Sequence, residues 1–324
     1  MLSFNQLLEH VNTAMAALDL NRQPDRLYAP IRYALSLGGK RLRPTLLLMA
    51  YNMYRDDTER VMPTALGIET FHNFTLLHDD VMDRADVRRG KPTVHKLWGD
   101  NTAILAGDNM LVMAFRMMQQ ADDAHLRQVM DIFSATAVEI DEGQQMDMDF
   151  ETRMDVAEEE YIEMIRLKTS VLLAAALKIG AVQAGATAAD TEALYDFGIC
   201  LGLAFQLQDD LLDVYGDYAT FGKKIGGDIL CNKKTFMLIN ALARADKAQQ
   251  QVLGQWLAAT DYVAEEKIAA VTHIYDMLGI RELAAKRINA YFDKAVAALD
   301  AVSLPDERKA PLKELACALL QRRS

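Results

Sequence analysis

The spacing of hydrophobic side chains predicts helices along almost the whole chain. Helix-favouring residues (Ala, Leu, Met, Glu, Gln and Lys) dominate, and no run of alternating β-branched residues indicates a strand. In segment 187–216, apolar residues recur every three or four positions, at Leu194, Phe197, Leu201 and Phe205. Helices are predicted at residues 2–19, 24–37, 43–55, 60–84, 101–120, 123–149, 156–180, 187–216, 233–244, 247–259, 263–278, 280–300 and 307–321.

Three stretches interrupt the helical pattern and are predicted to be turns or loops. They are the Gly-Gly pair at 38–39, residues 88–92, and residues 217–234. No linker rich in Pro, Gly or Ser, no low-complexity tract and no clear repeat divides the 324 residues. The pattern therefore predicts an all-α fold in one domain, residues 1–324.

Carboxylates interrupt two of the predicted helices. Residues 79–83 read Asp-Asp-Val-Met-Asp and residues 209–213 read Asp-Asp-Leu-Leu-Asp, each after an apolar stretch. Carboxylates within core-like sequence must be paired, protonated or bound to a metal ion. Two such clusters suggest one cavity with acidic groups on two walls.

The helical spacing of these carboxylates favours a magnesium site. Residues four apart share a helix face, about 6 Å apart along the axis, so Asp79 and Asp83 can share a cation, as can Asp209 and Asp213. Mg²⁺ takes a few carboxylates together with substrate phosphates, and the clusters contain neither imidazole nor thiolate for zinc or iron. The alternative is a solvated or salt-bridged acidic patch, which the repetition of the pattern disfavours.

Two basic runs supply candidate partners for phosphate. Residues 38–44 read Gly-Gly-Lys-Arg-Leu-Arg-Pro, and residues 88–92 read Arg-Arg-Gly-Lys-Pro. Arginine offers forked donors that suit diphosphate oxygens, and lysine offers a point charge. Either run alone would be interpreted as a solvated turn, but their position near the first acidic cluster favours phosphate binding. The lysine-bearing loop 217–234 is expected to close over the bound phosphate.

Composition narrows the class of protein. With 51% hydrophobic and 25% charged residues the chain is an ordinary globular protein, and its net charge of -11 argues against a nucleic-acid surface. Its three cysteines lack metal-ligand spacing and fit a reducing compartment. No signal peptide and no apolar stretch of membrane-spanning length is recognisable, so a cytoplasmic location is expected.

At these residues the chain resembles the trans-isoprenyl diphosphate synthases, the polyprenyl synthetase family. Six segments match in the family's order, at 38–44, 77–90, 143–144, 168–169, 202–213 and 222–229. The resemblance implies an all-α isoprenoid-synthase-type bundle around a deep central cavity, usually in a homodimer. It also implies condensation of an allylic diphosphate with isopentenyl diphosphate, with three magnesium ions per active site when substrate is bound.

The resemblance also implies roles for individual residues. Asp79 and Asp83 would hold two of the ions and Asp209 the third, supported by Asp80, Asp210, Asp213 and Gln206. The allylic diphosphate would contact Arg88, Lys168, Lys233, and Lys223 or Lys224. The isopentenyl diphosphate would contact Lys40, Arg43, His72 and Arg89. The reacting carbons would be surrounded by Lys168, Thr169 and Gln206.

No strong general base is found in these motifs, so the departing diphosphate is the expected proton acceptor. Magnesium and the basic residues would stabilise charge on that diphosphate, and an apolar pocket would protect the allylic carbocation from water. His72 has a second interpretation as a satisfied core histidine, and the neighbouring motifs favour the binding role.

Product length is expected to depend on Phe74, five residues before Asp79 and roughly 7.5 Å along the helix. A bulky residue there resembles short-chain synthases, with Phe74 and Phe71 as a floor below the growing chain; core packing is the alternative. Segment 71–76 most resembles archaeal-type geranylgeranyl diphosphate synthases, which predicts a twenty-carbon product. A farnesyl product is the alternative.

Two other function classes compete with this interpretation. A class I terpene cyclase shares an aspartate-rich helical site, but usually has an Asn/Ser/Glu-type second motif and lacks the early basic site. A non-catalytic subunit of a heteromeric synthase commonly loses aspartates or basic residues, all of which are present here. The terminal Arg322 and Arg323 are expected to form a basic tail.

Overall fold

The structure, a computed structural model, describes residues 1–216 and 225–320. Within these ranges the chain folds into helices and one short hairpin, and the prediction of an all-α fold is confirmed. The first part contains α1 (Phe4–Ala16), α2 (Asp25–Ser36), α3 (Leu42–Asn52), a 3₁₀ turn (Thr58–Val61), α4 (Met62–Met82), β1 (Val87–Arg88), β2 (Lys91–Pro92), α5 (Val94–Trp98) and α6 (Asp100–Met118).

Long helices make up most of the remaining chain. They are α7 (Asp123–Thr152), α8 (Glu158–Ile165), a π-helical segment (Arg166–Ser170), α9 (Val171–Gln183), α10 (Ala188–Tyr215), α11 (Gly227–Leu230), α12 (Phe236–Arg244), α13 (Lys247–Ala258), α14 (Ala264–Met277), α15 (Ile280–Asp300) and α16 (Asp306–Leu320).

Two predictions about local structure were wrong, and one was incomplete. The predicted helix 156–180 is divided by the π-helical segment Arg166–Ser170. Residues 88–92 interrupt the helices as predicted, but they take part in an antiparallel hairpin that pairs Arg88 with Lys91. The predicted loop 217–234 contains α11 among its described residues. Helical periodicity detects none of these, because each involves only a few residues.

The chain divides into two compact units. Unit 1 comprises Met1–Ala135, Ala175–Leu194 and Ser303–Pro311, and unit 2 comprises the described residues of Thr136–Ala174, Tyr195–Val302 and Leu312–Ser324. Each unit contains one of the two acidic clusters, residues 79–83 in unit 1 and residues 209–213 in unit 2. The prediction of a single domain stays a prediction.

Each unit has its own apolar core. In unit 1, α4 is buried along most of its length, because it is apolar on all sides rather than on one stripe. In unit 2, buried side chains of α8, α10, α12 and α14 form a single cluster that includes Tyr161, Leu207, Phe236 and Tyr275. In the part of the chain that is described, no helix is both long and apolar enough to cross a membrane.

Candidate active site

The first acidic cluster lies at the carboxyl end of α4. Asp79 and Asp80 belong to its last turn, and Asp83 is its C-terminal cap. The carbonyl groups at this end of a helix carry partial negative charge, so three added carboxylates create a strongly anionic position that favours a cation. Asp80 is only 4% exposed, whereas Asp79 is partly exposed and Asp83 is exposed. Asp79 and Asp83 are therefore the accessible members of the cluster.

Arg88, on β1, pairs with the buried member of this cluster. Its Nε donates to Asp80 Oδ1 at 2.8 Å, and its Nη2 lies 2.7 Å from the same oxygen and 3.3 Å from Asp79 Oδ2. Burial raises the pKa of Asp80, and the charge of Arg88 opposes that rise. The structure thus gives Arg88 a contact that the sequence did not indicate, and its predicted diphosphate contact stays a prediction.

A basic group forms elsewhere in unit 1 around His72. Arg43 Nη1 lies 3.1 Å from His72 Nε2. Burial lowers the pKa of His72 well below its usual value, and Arg43 and Arg89 act in the same direction. His72 is therefore neutral at physiological pH and accepts a hydrogen bond from Arg43. Burial also lowers the pKa of Arg43 to about 10, which leaves it charged.

The donors of this basic group are not all satisfied. The Nε of Arg43 is buried and finds no acceptor among the described residues. A buried donor without a partner is costly, and an anionic ligand would supply the missing acceptor. The group formed by Arg43, His72 and Arg89 is therefore suited to an anion.

The two basic runs of the sequence meet in space. The guanidinium of Arg89 donates to the carbonyl of Gly38, 51 positions earlier. A Cβ added to Gly39 would lie 2.7 Å from Arg89 Nη2, at the flexible end of that side chain, and the positive φ of 137° at Gly39 favours glycine. Arg89 itself has a positive φ of 53°, which is uncommon for a side-chain-bearing residue. Lys40 is exposed next to this contact.

Arg41, which the sequence grouped with the other basic residues, has a structural role. Its Nη1 lies 2.5 Å from Glu69 Oε1 and its Nη2 donates to the carbonyl of Leu35 at 2.7 Å. Both side chains of the ion pair are buried. Arg41 therefore connects the start of α3 to α4.

The second acidic cluster lies near the end of α10 and, like the first, has a buried middle member. Its middle member, Asp210, is 3% exposed and accepts a hydrogen bond from the hydroxyl of Tyr161. Burial raises the pKa of Asp210 to about 7, although the hydrogen bond of Tyr161 opposes the rise. Gln206 Nε2 is 3.4 Å from Asp210 Oδ1.

The outer members of the second cluster differ from each other. Asp213 is buried, and its Oδ2 accepts the backbone N–H of Asp228 at 2.9 Å, at the start of α11. Asp209 is partly exposed. Asp209 is therefore more accessible than Asp210 and Asp213, and its predicted role as a metal ligand stays a prediction.

The π-helical segment presents Lys168 and Thr169, both partly exposed. It packs closely on α7, because a Cβ added to Gly143 would lie 2.3 Å from the backbone nitrogen of Lys168. A π-bulge shifts the side chains that follow it and is frequent at functional sites. The absence of a side chain at Gly143 is therefore what allows α7 and the π-helical segment to pack so closely.

Asp147 is a candidate functional residue that sequence reasoning missed. Its Oδ2 lies 2.6 Å from Lys168 Nζ and 3.9 Å from Lys233 Nζ. Burial favours the neutral acid, but the charges of Lys233 and Lys168 hold the pKa of Asp147 below its usual value. The sequence did offer one indication of a role for Asp147. It lies four residues after Gly143 and therefore on the same face of α7.

The predicted floor residues belong to a row of aromatic rings in unit 1. The ring centroids of Phe71 and Phe74 are 5.5 Å apart, and Phe71 also contacts Phe133 at 5.2 Å. Phe71 is 1% exposed and Phe74 is 8% exposed. Phe71 is thus a core residue by its surroundings, and Phe74 is the member with more access to a ligand.

The polyprenyl synthetase family model matches residues 24–276 of this chain. The chain belongs to the polyprenyl synthetase family. It is 45% identical over 240 residues to the geranylgeranyl diphosphate synthase of Methanosarcina mazei, which covers 74% of each chain. It is 44% identical over 243 residues to the short chain isoprenyl diphosphate synthase of Methanocaldococcus jannaschii, covering 75% of this chain and 74% of the other.

Solved structures agree with this assignment. A crystal structure of a geranylgeranyl pyrophosphate synthase superposes with a TM-score of 0.92 at 44% identity, over 100% of both chains. The chain is therefore a prenyltransferase, and the resemblance stated from its sequence is confirmed. The terpene-cyclase alternative is set aside.

The carboxylates of the two acidic clusters suit magnesium ions whose ligands come partly from the protein and partly from a substrate. Among residues 1–216 and 225–320, no three His, Cys, Asp or Glu side chains form a group that could hold a metal ion unaided. The accessible donors are carboxylate oxygens, and Mg²⁺ commonly combines one or two of these with phosphate oxygens. Asp79, Asp83 and Asp209 match that requirement. The predicted ligands Lys223 and Lys224 and the terminal Arg322 and Arg323 lie outside the described residues.

Proposed function

We propose that this enzyme condenses isopentenyl diphosphate with allylic diphosphates, in a reaction that requires Mg²⁺, and that its product is geranylgeranyl diphosphate. One observation carries the proposal. Unit 1 contains an acidic position that suits cations and a basic position that suits an anion. Two consecutive arginines link these positions. Arg88 pairs with Asp80, and Arg89 contacts Gly38 beside Arg43 and His72.

The two positions differ in charge, and the two diphosphates differ in what they require of the enzyme. The diphosphate that leaves during the reaction gains negative charge. Asp79, Asp83 and Asp209 would hold magnesium ions, which would supply neutralising charge. The diphosphate of isopentenyl diphosphate stays attached to its carbon chain. Arg43, His72 and Arg89, together with Lys40, hold it without a metal ion.

The proposed reaction balances without a protein base. The bond between the allylic carbon and its diphosphate oxygen breaks, and the electron pair leaves with the diphosphate. The double bond of isopentenyl diphosphate then attacks the allylic carbon, and the resulting cation loses a proton to the departed diphosphate. Lys168 and Lys233 bind the allylic diphosphate, while Thr169 and Gln206 border the reacting carbons.

The product assignment is supported by the relatives. Geranylgeranyl diphosphate synthases of Methanosarcina mazei and Saccharolobus solfataricus are 45% and 35% identical to this chain over the matched residues. The bulky Phe74, held in a row of aromatic rings, is proposed to stop the growing prenyl chain. A farnesyl product is the alternative, and a relative of that name is 35% identical.

A homodimer is proposed as the assembly of this enzyme. Apolar side chains of α6, including Leu105 and Val112, are exposed on unit 1. These two residues are seven positions apart, so they lie on one face of the helix, and a second copy would cover them. Light scattering should give the mass of a dimer for the wild type and a larger monomer fraction for Leu105→Glu. A monomeric wild type would contradict the proposal.

The decisive experiment identifies products. Purified protein is incubated with isopentenyl diphosphate, one allylic starter at a time and Mg²⁺, and the products are identified by mass spectrometry. The expected main product is geranylgeranyl diphosphate, formed with Mg²⁺ and abolished by a chelator. A main product of fifteen carbons supports the farnesyl alternative, and no consumption of isopentenyl diphosphate overturns the proposed function.

A further inference from the structure

Lys267, on α14 of unit 2, is a buried lysine that the proposed reaction does not use. It is 1% exposed, although lysine is almost never fully buried unless it is paired. Among the described residues it forms no ion pair with a carboxylate; its contacts are uncharged. The ammonium nitrogen lies 2.7 Å from Asn232 Oδ1, 3.4 Å from the carbonyl of Leu230 and 4.4 Å from the ring centroid of Tyr262.

Burying this ammonium is costly. Removing a charge from water without an opposite charge is unfavourable, and burial accordingly lowers the pKa of Lys267. Two oxygen acceptors and an aromatic face offset part of that cost. An apolar side chain of similar size would avoid this cost but could not donate to the two oxygen acceptors. The role of Lys267 therefore lies in its hydrogen bonds to those acceptors.

The two acceptors flank a tight turn. Leu230 is the last residue of α11, and its carbonyl also accepts a hydrogen bond from the hydroxyl of Tyr262 at 3.2 Å. Asn232 has a positive φ of 54°, in the left-handed region that asparagine adopts more readily than most residues with a side chain. Its Nδ2 donates to the carbonyl of Leu257 at 3.1 Å, so Lys267 and Leu257 together use both ends of the Asn232 amide.

The turn carries Lys233. Its backbone N–H donates to the carbonyl of Asp228 at 2.9 Å, and its ammonium lies 3.9 Å from Asp147 Oδ2. The same carboxylate oxygen contacts Lys168 at 2.6 Å. The direction of the Lys233 side chain therefore depends on the backbone of Asn232, the preceding residue.

We propose that Lys267 is a positioning residue, which holds Leu230 and Asn232 so that the turn directs Lys233 toward Asp147 and Lys168. The proposal rests on the proposed function, in which Lys233 and Lys168 bind the allylic diphosphate. Lys267 acts on this substrate alone, because the lysine that it positions, Lys233, is assigned to the allylic diphosphate.

The test compares Lys267→Met, Lys233→Ala and the double variant by steady-state kinetics. Methionine keeps most of the stem and removes the three donors. Each single variant should raise KM for the allylic diphosphate by roughly tenfold, with KM for isopentenyl diphosphate unchanged. The double variant should be no worse than Lys233→Ala, because both changes remove the same contact.

Two further variants separate positioning from a merely structural role. Lys267→Arg retains charge and donors and should recover most of the allylic KM. Lys294→Met is the matched control, because Lys294 is exposed and also lies near an aromatic ring, 5.5 Å from the centroid of Tyr291. It should change neither KM. If Lys267→Met does not fold, Asn232→Ala removes the same hydrogen bond from the other side and should give the same selective rise.

Three results would overturn the proposal. They are equal changes in both KM values, a double variant whose defect is the product of the single defects, and an unchanged allylic KM in Lys267→Met when Lys233→Ala shows a rise. An unchanged allylic KM in Lys233→Ala would refute the assigned role of Lys233, and with it this inference. Absence of condensation by the wild type would refute the proposed function itself.

Discussion

The ammonium nitrogen of Lys168 lies 2.6 Å from Oδ2 of Asp147, and the ammonium of Lys233 lies 3.9 Å from the same oxygen. One carboxylate thus holds two lysines that are separated by 65 positions in the chain. Two neighbouring ammonium groups repel each other unless an anion compensates them. Asp147 supplies that anion in the ligand-free protein and holds together the two lysines that are proposed to bind the allylic diphosphate.

Asp147→Asn tests this relationship. The amide keeps the shape of the side chain but removes its charge, so the two lysines separate. We expect kcat/KM for the allylic diphosphate to fall by about 10–100-fold, the range found when the group that orients a ligand-binding side chain is lost. Asp149→Asn, an exposed position on the same helix, is the control and should behave as wild type. Wild-type kinetics for Asp147→Asn would refute the role.

The accessible carboxylates of the two acidic clusters should be essential. Asp79→Ala and Asp209→Ala each remove a proposed magnesium ligand, and turnover should fall by about 100-fold or more in each variant. Asp86→Asn is a suitable control, since Asp86 is exposed and paired with Lys96 at 2.7 Å. Turnover is measured with saturating Mg²⁺. Near wild-type rates in both alanine variants would remove the basis of the metal assignment.

Phe74→Ala should lengthen the products. The substitution opens the row of rings at its more accessible end, and chains longer than twenty carbons should appear in the mass spectrum. Phe133→Leu alters the same row beyond Phe71 and should lower stability without a change in product length. An unchanged product distribution for Phe74→Ala would show that the ring only packs the core.

Glu69→Ala should destabilise unit 1. Glu69 accepts hydrogen bonds from Arg41 and from Asn73 Nδ2, the latter at 2.9 Å, and its removal leaves the buried guanidinium of Arg41 unpaired. Loss of one partner of a buried ion pair costs about 3–5 kcal/mol, which urea unfolding would measure. Arg60→Ala breaks the exposed pair with Asp122 and should change stability little. Equal effects of the two substitutions would contradict the argument.

His72 should make the ligand-free protein sensitive to acid. Its folded pKa lies well below its usual value, so below about pH 6.5 the unfolded chain binds a proton that the folded protein does not. Stability contributed by His72 is therefore present at higher pH and lost as pH falls. In His72→Gln the loss of unfolding free energy between about pH 7.5 and about pH 5.5 should be smaller by about 1 kcal/mol.

Unfolding of His72→Gln is followed at both pH values beside wild type and beside His273→Gln, a control that removes an exposed histidine. Identical pH dependence in wild type and His72→Gln would show that His72 is not buried as a neutral group.

The major helices were predictable because their information is local. Helix α10 was predicted at 187–216 and spans Ala188–Tyr215, since apolar residues at helical spacing face a common core. The π-helical segment was not predictable in this way. One wider turn leaves the composition unchanged. The segment packs against Gly143, which lies in another part of the chain, and local periodicity carries no information about that contact.

The same division applies to the charged residues. The sequence by itself determined the chemistry: two Asp-Asp-x-x-Asp clusters on helices and two arginine-rich turns, which are patterns of neighbouring residues. Tertiary structure alone decided which members are accessible. Asp80 and Asp210 are buried because Arg88 and Tyr161 meet them, and the Tyr161 contact crosses 49 positions of the chain. Such pairings depend on how whole helices pack, and no local pattern of hydrophobic and polar residues encodes them.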